Sequence, residues 1–307
     1  MKIAIMGAGA VGSYYGGLLA RAGHAVTLIG RASHVAAVLR DGLRLQTLAF
    51  DEWVPMRASV DPAAVADADW VLCCVKSNDT EAAAAAISPY LRDQALVLSL
   101  QNGLENAERL QALLPRHRVQ PVLVYAAVEL AGPGHLRHHG RGELVIGAGP
   151  DSEAIATSFA DAGVPVQVLA DLRAAQWSKL VVNCAYNALS AISRLPYGRM
   201  IQGPGIEATM REAVAECLAV AHAEGIPLPA DLWPQVRALA DAMPTQQSST
   251  AQDLARGRRS EIDQLNGYVV RRGAALGVPT PVNRALHGLV KLLEAPPGGD
   301  PADHRAD

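Results

Sequence analysis

A row of polar side chains at helical spacing is the part of this sequence with the clearest chemical potential. Lys179, Asn183 and Asn187 lie four residues apart in a segment that is otherwise mostly apolar. Residues at this spacing share one face of a helix. Polar groups on a buried helix face are costly unless each has a partner. The row therefore predicts either a hydrogen-bond ladder that serves the fold or a site that binds a polar substrate.

A second group of polar residues lies further along the same half of the chain. We expect Ser249 to cap a helix that is predicted over 252–276. Glu261 and Asn266 are five residues apart in that segment and do not share a helix face, so they predict separate roles. Gly267 indicates close packing or the approach of a ligand at this point.

A glycine-rich motif near the start of the chain predicts a phosphate-binding loop. The motif has the order GxGxxG and consists of Gly7, Ala8, Gly9, Ala10, Val11 and Gly12. It follows a predicted strand over 3–6 and opens a predicted helix over 10–22, which is the context in which this motif binds dinucleotides. Its glycines allow a tight turn, the approach of the pyrophosphate and close packing of helix and strand. A glycine turn without a ligand is the alternative.

The residue after the second predicted strand, over 25–29, selects between the two nicotinamide dinucleotides. NAD-binding proteins place a carboxylate there, which hydrogen-bonds the ribose 2′-hydroxyl. This sequence has Gly30 and Arg31 instead, 19 residues after Gly12. Because a guanidinium binds a 2′-phosphate in a bidentate manner, the position predicts NADP(H) as the cofactor. A solvated loop cation at Arg31 is the alternative.

Two further loops follow predicted strands over 70–75 and 95–100. Lys76 lies in the first loop and Asn102 in the second. Since ligands bind at the carboxyl edge of parallel sheets, we expect both side chains near the cofactor. The amide of Asn102 would then face the nicotinamide-side ribose or carboxamide, and Lys76 a phosphate or ribose. Ordinary loop chemistry explains either residue equally well when it is taken alone.

The elements that must position these residues divide the chain in two. Strands alternate with helices up to Asp171, which predicts βαβ units and a Rossmann-type, doubly wound parallel sheet. Only helices are predicted beyond that residue. We therefore expect an α/β dinucleotide-binding domain over 1–171, an all-α substrate and catalytic domain over 172–294, and a frayed tail over 295–307.

The remaining predicted elements complete this division. Further strands are predicted at 119–128 and 164–169, with a hairpin between 132 and 149 that has 144–146 as one arm. Further helices are predicted at 80–91, 152–162, 173–193, 205–225, 233–242 and 283–293.

Composition narrows the class of protein. The net charge of −3 gives no long-range attraction for nucleic acid or an anionic membrane. Aromatic residues make up 4% of the chain, which argues against a protein that stacks bases or sugars. The four cysteines have no CxxC spacing, so we expect neither a structural disulfide nor a metal site. We find no cleavable signal and no apolar run of membrane-span length, and we therefore expect a cytoplasmic protein with a small-molecule partner.

The order of the motifs resembles that of the ketopantoate reductase (2-dehydropantoate 2-reductase) family over nearly the whole chain. The shared features are GAGAVG, Val75-Lys76, Gln101-Asn102-Gly103, Trp177-Ser178-Lys179 with Asn183 and Asn187, Ser248-Ser249 through Gln252-Asp253, and Glu261-Ile262-Asp263 with Asn266-Gly267. The resemblance implies reduction of ketopantoate to pantoate with NADPH, on the route to pantothenate and coenzyme A. It also implies a Rossmann-type domain followed by a helical domain like the C-terminal domain of 6-phosphogluconate dehydrogenase.

The resemblance further implies a role for each site residue. Lys179 would be the general acid that protonates the developing alkoxide, and Glu261 would bind the substrate hydroxyl and orient the lysine. Asn183 and Asn187 would hold the substrate, with Ser249 near its carboxylate. Residues that serve the cofactor would be those of the glycine motif with Arg31, Lys76, Asn102 and Ala127. Reduction of a ketone leaves negative charge on oxygen, which a nearby ammonium both stabilises and protonates.

One departure from the family pattern concerns the substrate. Many members have an asparagine in a Pro-Asn-Gly turn that contacts the substrate, where this chain has Pro196-Tyr197-Gly198. Tyr197 changes the size and polarity of that wall, which leaves the identity of the 2-keto acid open. Another NADP-dependent 2-keto acid or β-hydroxyacid dehydrogenase of this architecture is one alternative, and a non-catalytic dinucleotide-binding sensor is another. A homodimer is left open beside a monomer.

Overall fold

The computed structural model of the protein describes residues 1–294, so the predicted tail over 295–307 lies outside the described residues. The chain separates into two compact units, Met1–Leu172 and a second unit that begins at Arg173. The change from one unit to the next comes one residue after the predicted boundary at Asp171. All functional residues predicted from the sequence lie within the described range.

The first unit contains both strands and helices. Its strands are β1 (Lys2–Met6), β2 (Ala25–Ile29), β3 (Leu43–Gln46), β4 (Asp51–Val54), β5 (Arg57–Ser59), β6 (Trp70–Cys73), β7 (Leu96–Ser99), β8 (Arg118–Gly132), β9 (His135–Gly147) and β10 (Val166–Leu169). Its α-helices are α1 (Ala10–Arg21), α2 (Ala32–Asp41), α3 (Thr80–Ile87), α4 (Asn106–Leu113) and α5 (Ser152–Asp161). Short 3-10 helices lie at Pro62–Val65 and Ser77–Asp79.

A parallel sheet forms one side of this unit, in the strand order β5-β2-β1-β6-β7-β8. Strands β6 and β7 are buried at every position, as continuous apolar runs in a parallel sheet should be. The order reverses direction beside β1, which is the point at which doubly wound sheets bind ligands at their carboxyl edge. The predicted Rossmann-type fold class is confirmed.

Strand β8 connects the parallel part of the sheet to an antiparallel part. Residues 118–121 pair with β7, and the continuation of the strand pairs antiparallel with β9. Strand β9 also pairs with β3 and β10, and β3 pairs antiparallel with β4. The predicted hairpin within residues 132–149 is wrong, because this segment forms the single strand β9, and its hairpin partner is β8, which ends at Gly132. Strands β3, β4 and β5 and helices α2 and α4 are not among the predicted elements, because their short segments depend on partners that are distant in sequence.

Helix α1 packs close to the sheet at two glycines in its middle turn, Gly16 and Gly17. A Cβ added to Gly16 would lie 2.8 Å from the Cγ1 atom of Ile5, and one added to Gly17 would lie 2.8 Å from a Leu45 methyl group. The neighbouring Tyr15 is fully buried and donates a hydrogen bond to the carbonyl oxygen of Gly142 on β9. Helix α1 is therefore locked between the parallel strands and the β8–β9 pair.

Within residues 173–294, all regular secondary structure of the second unit is helical. Its helices are α6 (Arg173–Ser193), α7 (Tyr197–Met200), α8 (Ile206–Ala223), α9 (Trp233–Ala242), α10 (Ser249–Ala255), α11 (Asn266–Leu276) and α12 (Pro281–Glu294), with a 3-10 turn at Ile262–Gln264. Helix α6 is central, since α8, α10 and α12 all pack against it.

The predicted continuous helix over 252–276 is wrong. Helix α10 ends at Ala255, and α11 begins only at Asn266. Gly257 adopts a φ of +63°, a left-handed conformation that terminates helices. Glu261 consequently lies in a turn between two helices rather than on a helix face.

Three further observations bear on the class of protein. No helix among residues 1–294 combines the length and the apolar composition that a membrane span requires. All four cysteines are free thiols, and burial raises the pKa of Cys73 to about 12. Within the same residues, no group of three or more His, Cys, Asp or Glu side chains is arranged to hold a metal ion.

Gly12→Ala is expected to destabilise the α/β unit. A Cβ at this position would lie 2.3 Å from the carbonyl oxygen of Gly7 and 2.8 Å from the Cγ2 atom of Ile5. Overpacking of this kind costs about 1–3 kcal/mol in the free energy of unfolding, which urea unfolding followed by circular dichroism would measure. Gly9→Ala is the matched control, because a Cβ at Gly9 has no atom within 4 Å. Equal losses in the two variants would contradict close packing at Gly12.

Candidate functional site

The glycine loop has the geometry that its sequence predicts. Gly7 adopts a φ of +103°, and the N–H groups of Gly7 and Ala8 donate to the carbonyl oxygen of Ile29 at 3.1 and 2.8 Å. These bonds hold the loop against the end of β2. Gly9 precedes the first residue of α1 and has open space on the side where a Cβ would be.

This loop fits a dinucleotide. The first turn of any helix leaves N–H groups without partners inside the helix, and its dipole favours negative charge. At α1 the approach to those groups is open, because the space over Gly9 is vacant of protein atoms within 4 Å. No side chain of the loop is larger than valine. The residues present therefore suit a pyrophosphate group.

Arg31 lies beside the glycine loop. A Cβ on the preceding Gly30 would lie 2.7 Å from the Cβ atom of Ala8, which brings the end of β2 against the motif. Arg31 is exposed and directly precedes α2, and its carbonyl accepts from the N–H groups of His34 and Val35. Arg31 therefore places an exposed positive charge one residue beyond the contact between Gly30 and Ala8.

The loops that carry Lys76 and Asn102 contact each other directly. The hydroxyl of Ser77 donates to the carbonyl oxygen of Asn102 at 2.9 Å, and the Asn106 amide donates to both Ser77 Oγ and that carbonyl. The Lys76 loop also abuts the glycine loop, since a Cβ at Gly7 would lie 2.6 Å from the backbone nitrogen of Val75. Three loops therefore share one edge of the sheet.

Ala127 has a different setting from the other predicted cofactor residues. It lies in the antiparallel part of the sheet, where it pairs with Gly140 of β9 next to a register shift. Its side chain is half-buried. The hydrogen bonds that join the three loops at the sheet edge do not include it.

In the helical unit, α6 carries the predicted polar row. Lys179 and Asn183 are half-buried, and Asn187 is 4% exposed. Cys184 lies between the two asparagines and is fully buried, and burial raises the pKa of its thiol. The thiol therefore stays protonated, which leaves the ammonium and the amides as the polar chemistry of this helix.

Ser248, rather than Ser249, caps helix α10. The Ser248 hydroxyl accepts from the N–H of Ala251 at 3.0 Å and donates to the carbonyl oxygen of Asn187 at 3.1 Å. The expectation that Ser249 caps this helix is wrong, because the helix begins three residues earlier than predicted. Ser249 is the first residue of α10 and is exposed. The cap thus ties the serine pair to the polar row of α6.

The turn that carries Glu261 is also tied to α6. Glu261 is 5% exposed and directly precedes the 3-10 turn at Ile262–Gln264. Asn266, at the start of α11, donates from Nδ2 to the carbonyl oxygen of Cys184 at 3.1 Å. Because Cys184 lies between Asn183 and Asn187, this bond links the Glu261 segment to the centre of the polar row.

Tyr197 lies in a packed environment. Its ring centroid is 4.5 Å from that of Tyr186 on α6, and its backbone N–H donates to the carbonyl oxygen of Gln246. Burial raises the pKa of Tyr186 to about 12 and raises that of Tyr197 as well. Both phenols therefore stay protonated at neutral pH, and neither serves as a base.

Two polar residues that hold this unit together, the half-buried Glu216 and the buried Asn283, are absent from the sequence-based prediction. Glu216 on α8 accepts from the backbone N–H groups of Val282 and Asn283 at 2.8 and 2.9 Å, at the start of α12. Asn283 is fully buried and donates from Nδ2 to Glu216 and to the carbonyl oxygen of Ala213. Asn266 donates to Asn283 Oδ1 at 2.9 Å. The partners lie far apart in sequence, so no local pattern reveals this network.

The two units define a class of protein. A Rossmann-type sheet with a glycine loop that suits a dinucleotide, together with helices that carry a lysine and an asparagine row, is the architecture of a nicotinamide-dependent oxidoreductase. Residues 3–151 match the family model described as ketopantoate reductase PanE/ApbA, and residues 171–294 match the model of its C-terminal part. The chain belongs to the ketopantoate reductase family.

Individual relatives cover almost the whole chain. A 2-dehydropantoate 2-reductase of Halobacterium salinarum is 36% identical over 96% of this chain and 99% of its own length. A PanE/ApbA family ketopantoate reductase from Ralstonia eutropha has a TM-score of 0.93 and 60% identity, over 96% of this chain and 98% of its own. A D-mandelate dehydrogenase with NADH and anilino(oxo)acetate has a TM-score of 0.88 and 26% identity, over 96% and 98% of the two chains. The predicted family is confirmed.

Ser248→Ala is expected to lower the free energy of unfolding by about 1 kcal/mol, the usual cost of losing a serine cap. The variant loses the bond from Ala251 and the bond to Asn187. Chemical unfolding of the purified protein would measure the loss. Ser249→Ala is the matched control, since an exposed substitution usually changes stability by less than about 0.5 kcal/mol. A larger loss in Ser249→Ala than in Ser248→Ala would reverse the assignment of the cap.

Proposed function

We propose that this protein reduces 2-dehydropantoate (ketopantoate) to pantoate with NADPH, on the route to pantothenate and coenzyme A. The observation that carries the proposal is the family match, which extends over both the dinucleotide-binding and the helical parts of the chain. The residues that the resemblance assigns to catalysis, Lys179 and Glu261, are both present. An enzyme is therefore favoured over a sensor that has lost its catalytic groups.

Lys179 is the proposed general acid. Bound NADPH supplies the hydride that reduces the keto carbon, and the keto oxygen then carries the developing negative charge. The Nζ ammonium of Lys179 donates a proton to that oxygen and stabilises its charge before the transfer is complete. The amides of Asn183 and Asn187 are neutral donors, so they hold the substrate without neutralising the ammonium.

The remaining substrate contacts are proposed for three residues. Glu261 accepts a hydrogen bond from the substrate hydroxyl and orients Lys179. Glu261 is only 5% exposed, and this burial suits a side chain that must keep a fixed position. Ser249 lies exposed at the start of α10 and donates to the substrate carboxylate. Tyr197 shapes the substrate wall through its contact with Tyr186.

The residues that we propose to bind the cofactor lie mostly in the loops at one edge of the sheet. The segment Gly7–Gly12 holds the pyrophosphate, Arg31 holds the 2′-phosphate, and Lys76 and Asn102 hold the ribose and nicotinamide side. Support comes from the contacts that bring these loops to one edge. Ala127 is proposed to contact the cofactor from β8.

The thiols are free and the proposed substrate is a soluble metabolite, so we place the protein in the cytoplasm. A second copy of the chain, in a homodimer, is the macromolecular partner that we propose.

A bulkier 2-keto acid is the second candidate substrate. The structure of a D-mandelate dehydrogenase is similar to that of this protein over 96% of this chain. Tyr197 replaces the asparagine of many ketopantoate reductases, which changes the proposed substrate wall. The two candidates share the reaction class and the role of Lys179.

The purified protein is expected to oxidise NADPH with ketopantoate at a higher kcat/KM than with phenylglyoxylate or pyruvate. Lys179→Ala should lower kcat by at least about 10²-fold, the usual contribution of a general acid. The loss of NADPH absorbance over time measures both the preference among keto acids and the effect of the substitution on kcat. Gln235→Ala, an exposed change on α9, is the control and should keep full activity. A preference for phenylglyoxylate would favour the second candidate, and an unchanged kcat in Lys179→Ala would move the acid elsewhere.

Arg31→Ala is expected to raise the KM for NADPH about 10- to 100-fold, since charge-assisted hydrogen bonds contribute about 1.5–3 kcal/mol. The KM for NADH should change much less, because NADH has no 2′-phosphate. Arg40→Ala removes the same charge from the far end of α2, where Arg40 pairs with Asp41, and serves as the control. Equal weakening of both cofactors in Arg31→Ala would show that Arg31 does not contact the 2′-phosphate.

A further inference from the structure

The residue before Glu261 is bound to the last helix of the described chain. The carboxylate of Glu294 on α12 accepts from the backbone N–H of Ser260 at 2.7 Å and from its hydroxyl at 2.6 Å. Ser260 is 1% exposed, and the side chain of Glu294 is 6% exposed. The Ser260 hydroxyl also accepts from the N–H of Ile262. The backbone on both sides of Glu261 is therefore fixed by one buried carboxylate–serine contact.

The residue two positions after Glu261 is bound to the same helix. His287 Nε2 lies 2.6 Å from Asp263 Oδ1, and Lys291 Nζ donates to Asp263 Oδ2 at 2.9 Å. The hydrogen bond with His287, followed by that with Lys291, lowers the pKa of Asp263. Arg271 on α11 adds a bond from Nη1 to the Asp263 carbonyl oxygen at 2.8 Å. Asp263 thus stays ionised and held in place at neutral pH.

One side chain joins the two attachments. Lys291 Nζ lies 2.9 Å from Glu294 Oε2 as well as 2.9 Å from Asp263 Oδ2. His287, Lys291 and Glu294 follow each other at intervals of four and three, which places them on one face of α12. Gly267 lets α11 approach this face, since a Cβ there would lie 3.0 Å from His287 Nε2. We call His287, Lys291 and Glu294 the α12 clamp.

We propose that the α12 clamp positions the Glu261 carboxylate for the reaction, which makes His287, Lys291 and Glu294 positioning residues. The inference rests on the role proposed above for Glu261. The clamp binds Ser260 and Asp263, which lie on either side of Glu261 in the short turn. It thereby fixes the backbone that carries the Glu261 side chain. A catalytic carboxylate that is held by packed and hydrogen-bonded neighbours keeps its geometry without cost at the moment of reaction.

A double-mutant cycle between Glu294 and Glu261 tests this inference. Glu294→Ala is made in the native protein and in Glu261→Gln, and kcat/KM for ketopantoate with NADPH is measured in all four proteins. We expect Glu294→Ala to lower kcat/KM about tenfold in the native background, chiefly through KM for the keto acid, and less than twofold in the Glu261→Gln background. The dissociation constant of NADPH should be unchanged throughout.

Conservative and control variants sharpen the test. Glu294→Gln keeps an oxygen that can accept from Ser260 and should restore kcat/KM to within about threefold of the native value. Leu292→Ala, at a position 72% exposed on the same helix, should leave kcat/KM unchanged. If Glu294→Ala does not fold, Ser260→Ala removes the hydroxyl half of the same contact and takes its place in the cycle.

The outcomes separate the inference from the proposed function. An equal loss in both backgrounds, or a loss below twofold in the native background, would overturn the clamp while leaving the role of Glu261 intact. Full activity of Glu261→Gln alone would overturn the role of Glu261 and the inference with it. A loss that is confined to the native background supports both.

Discussion

The hydrogen bond from Asn266 Nδ2 to the carbonyl oxygen of Cys184 is the contact on which the helical unit depends. Asn266 is fully buried, so loss of a partner would leave an amide without compensation at a cost of about 1–3 kcal/mol. The same amide donates to Asn283, which is bonded in turn to Glu216. One buried network therefore joins α6, α8, α11 and α12. Lys179 lies on α6, which belongs to this network, and the turn that carries Glu261 leads into α11, which belongs to it as well.

The α/β unit is organised by a steric constraint instead. At Gly7, Gly12 and Gly30 an added Cβ would lie between 2.3 and 2.7 Å from another atom, and in each case that atom belongs to the neighbouring loop, strand end or turn. Close backbone approach brings the loops after β1, β2 and β6 together at one edge of the sheet. Gly9 differs from these three because the space beside it is open. Gly7, Gly12 and Gly30 thus let the loops pack against one another, and Gly9 leaves open space beside the glycine loop.

These constraints explain which features a single sequence can reveal. The apolar runs of β1, β6 and β7, the glycine motif and the polar row of α6 are local patterns, and each is predictable from its own residues. The short strands β3, β4 and β5 depend on distant partners and are not. The segment 252–276 has helical composition, yet Gly257 breaks it and Glu261 lies in a turn. The spacing of His287, Lys291 and Glu294 is visible in the sequence, but their attachment to Ser260 and Asp263 requires the fold.

The distribution of charge in the helical unit suits the proposed chemistry. Three carboxylates, those of Glu261, Asp263 and Glu294, lie on or beside one turn, and two of them are offset by Lys291, with His287 hydrogen-bonded to Asp263. In the proposed reaction, Glu261 acts as a hydrogen-bond acceptor, while the neutral amides of α6 leave the charge of Lys179 available for the keto oxygen.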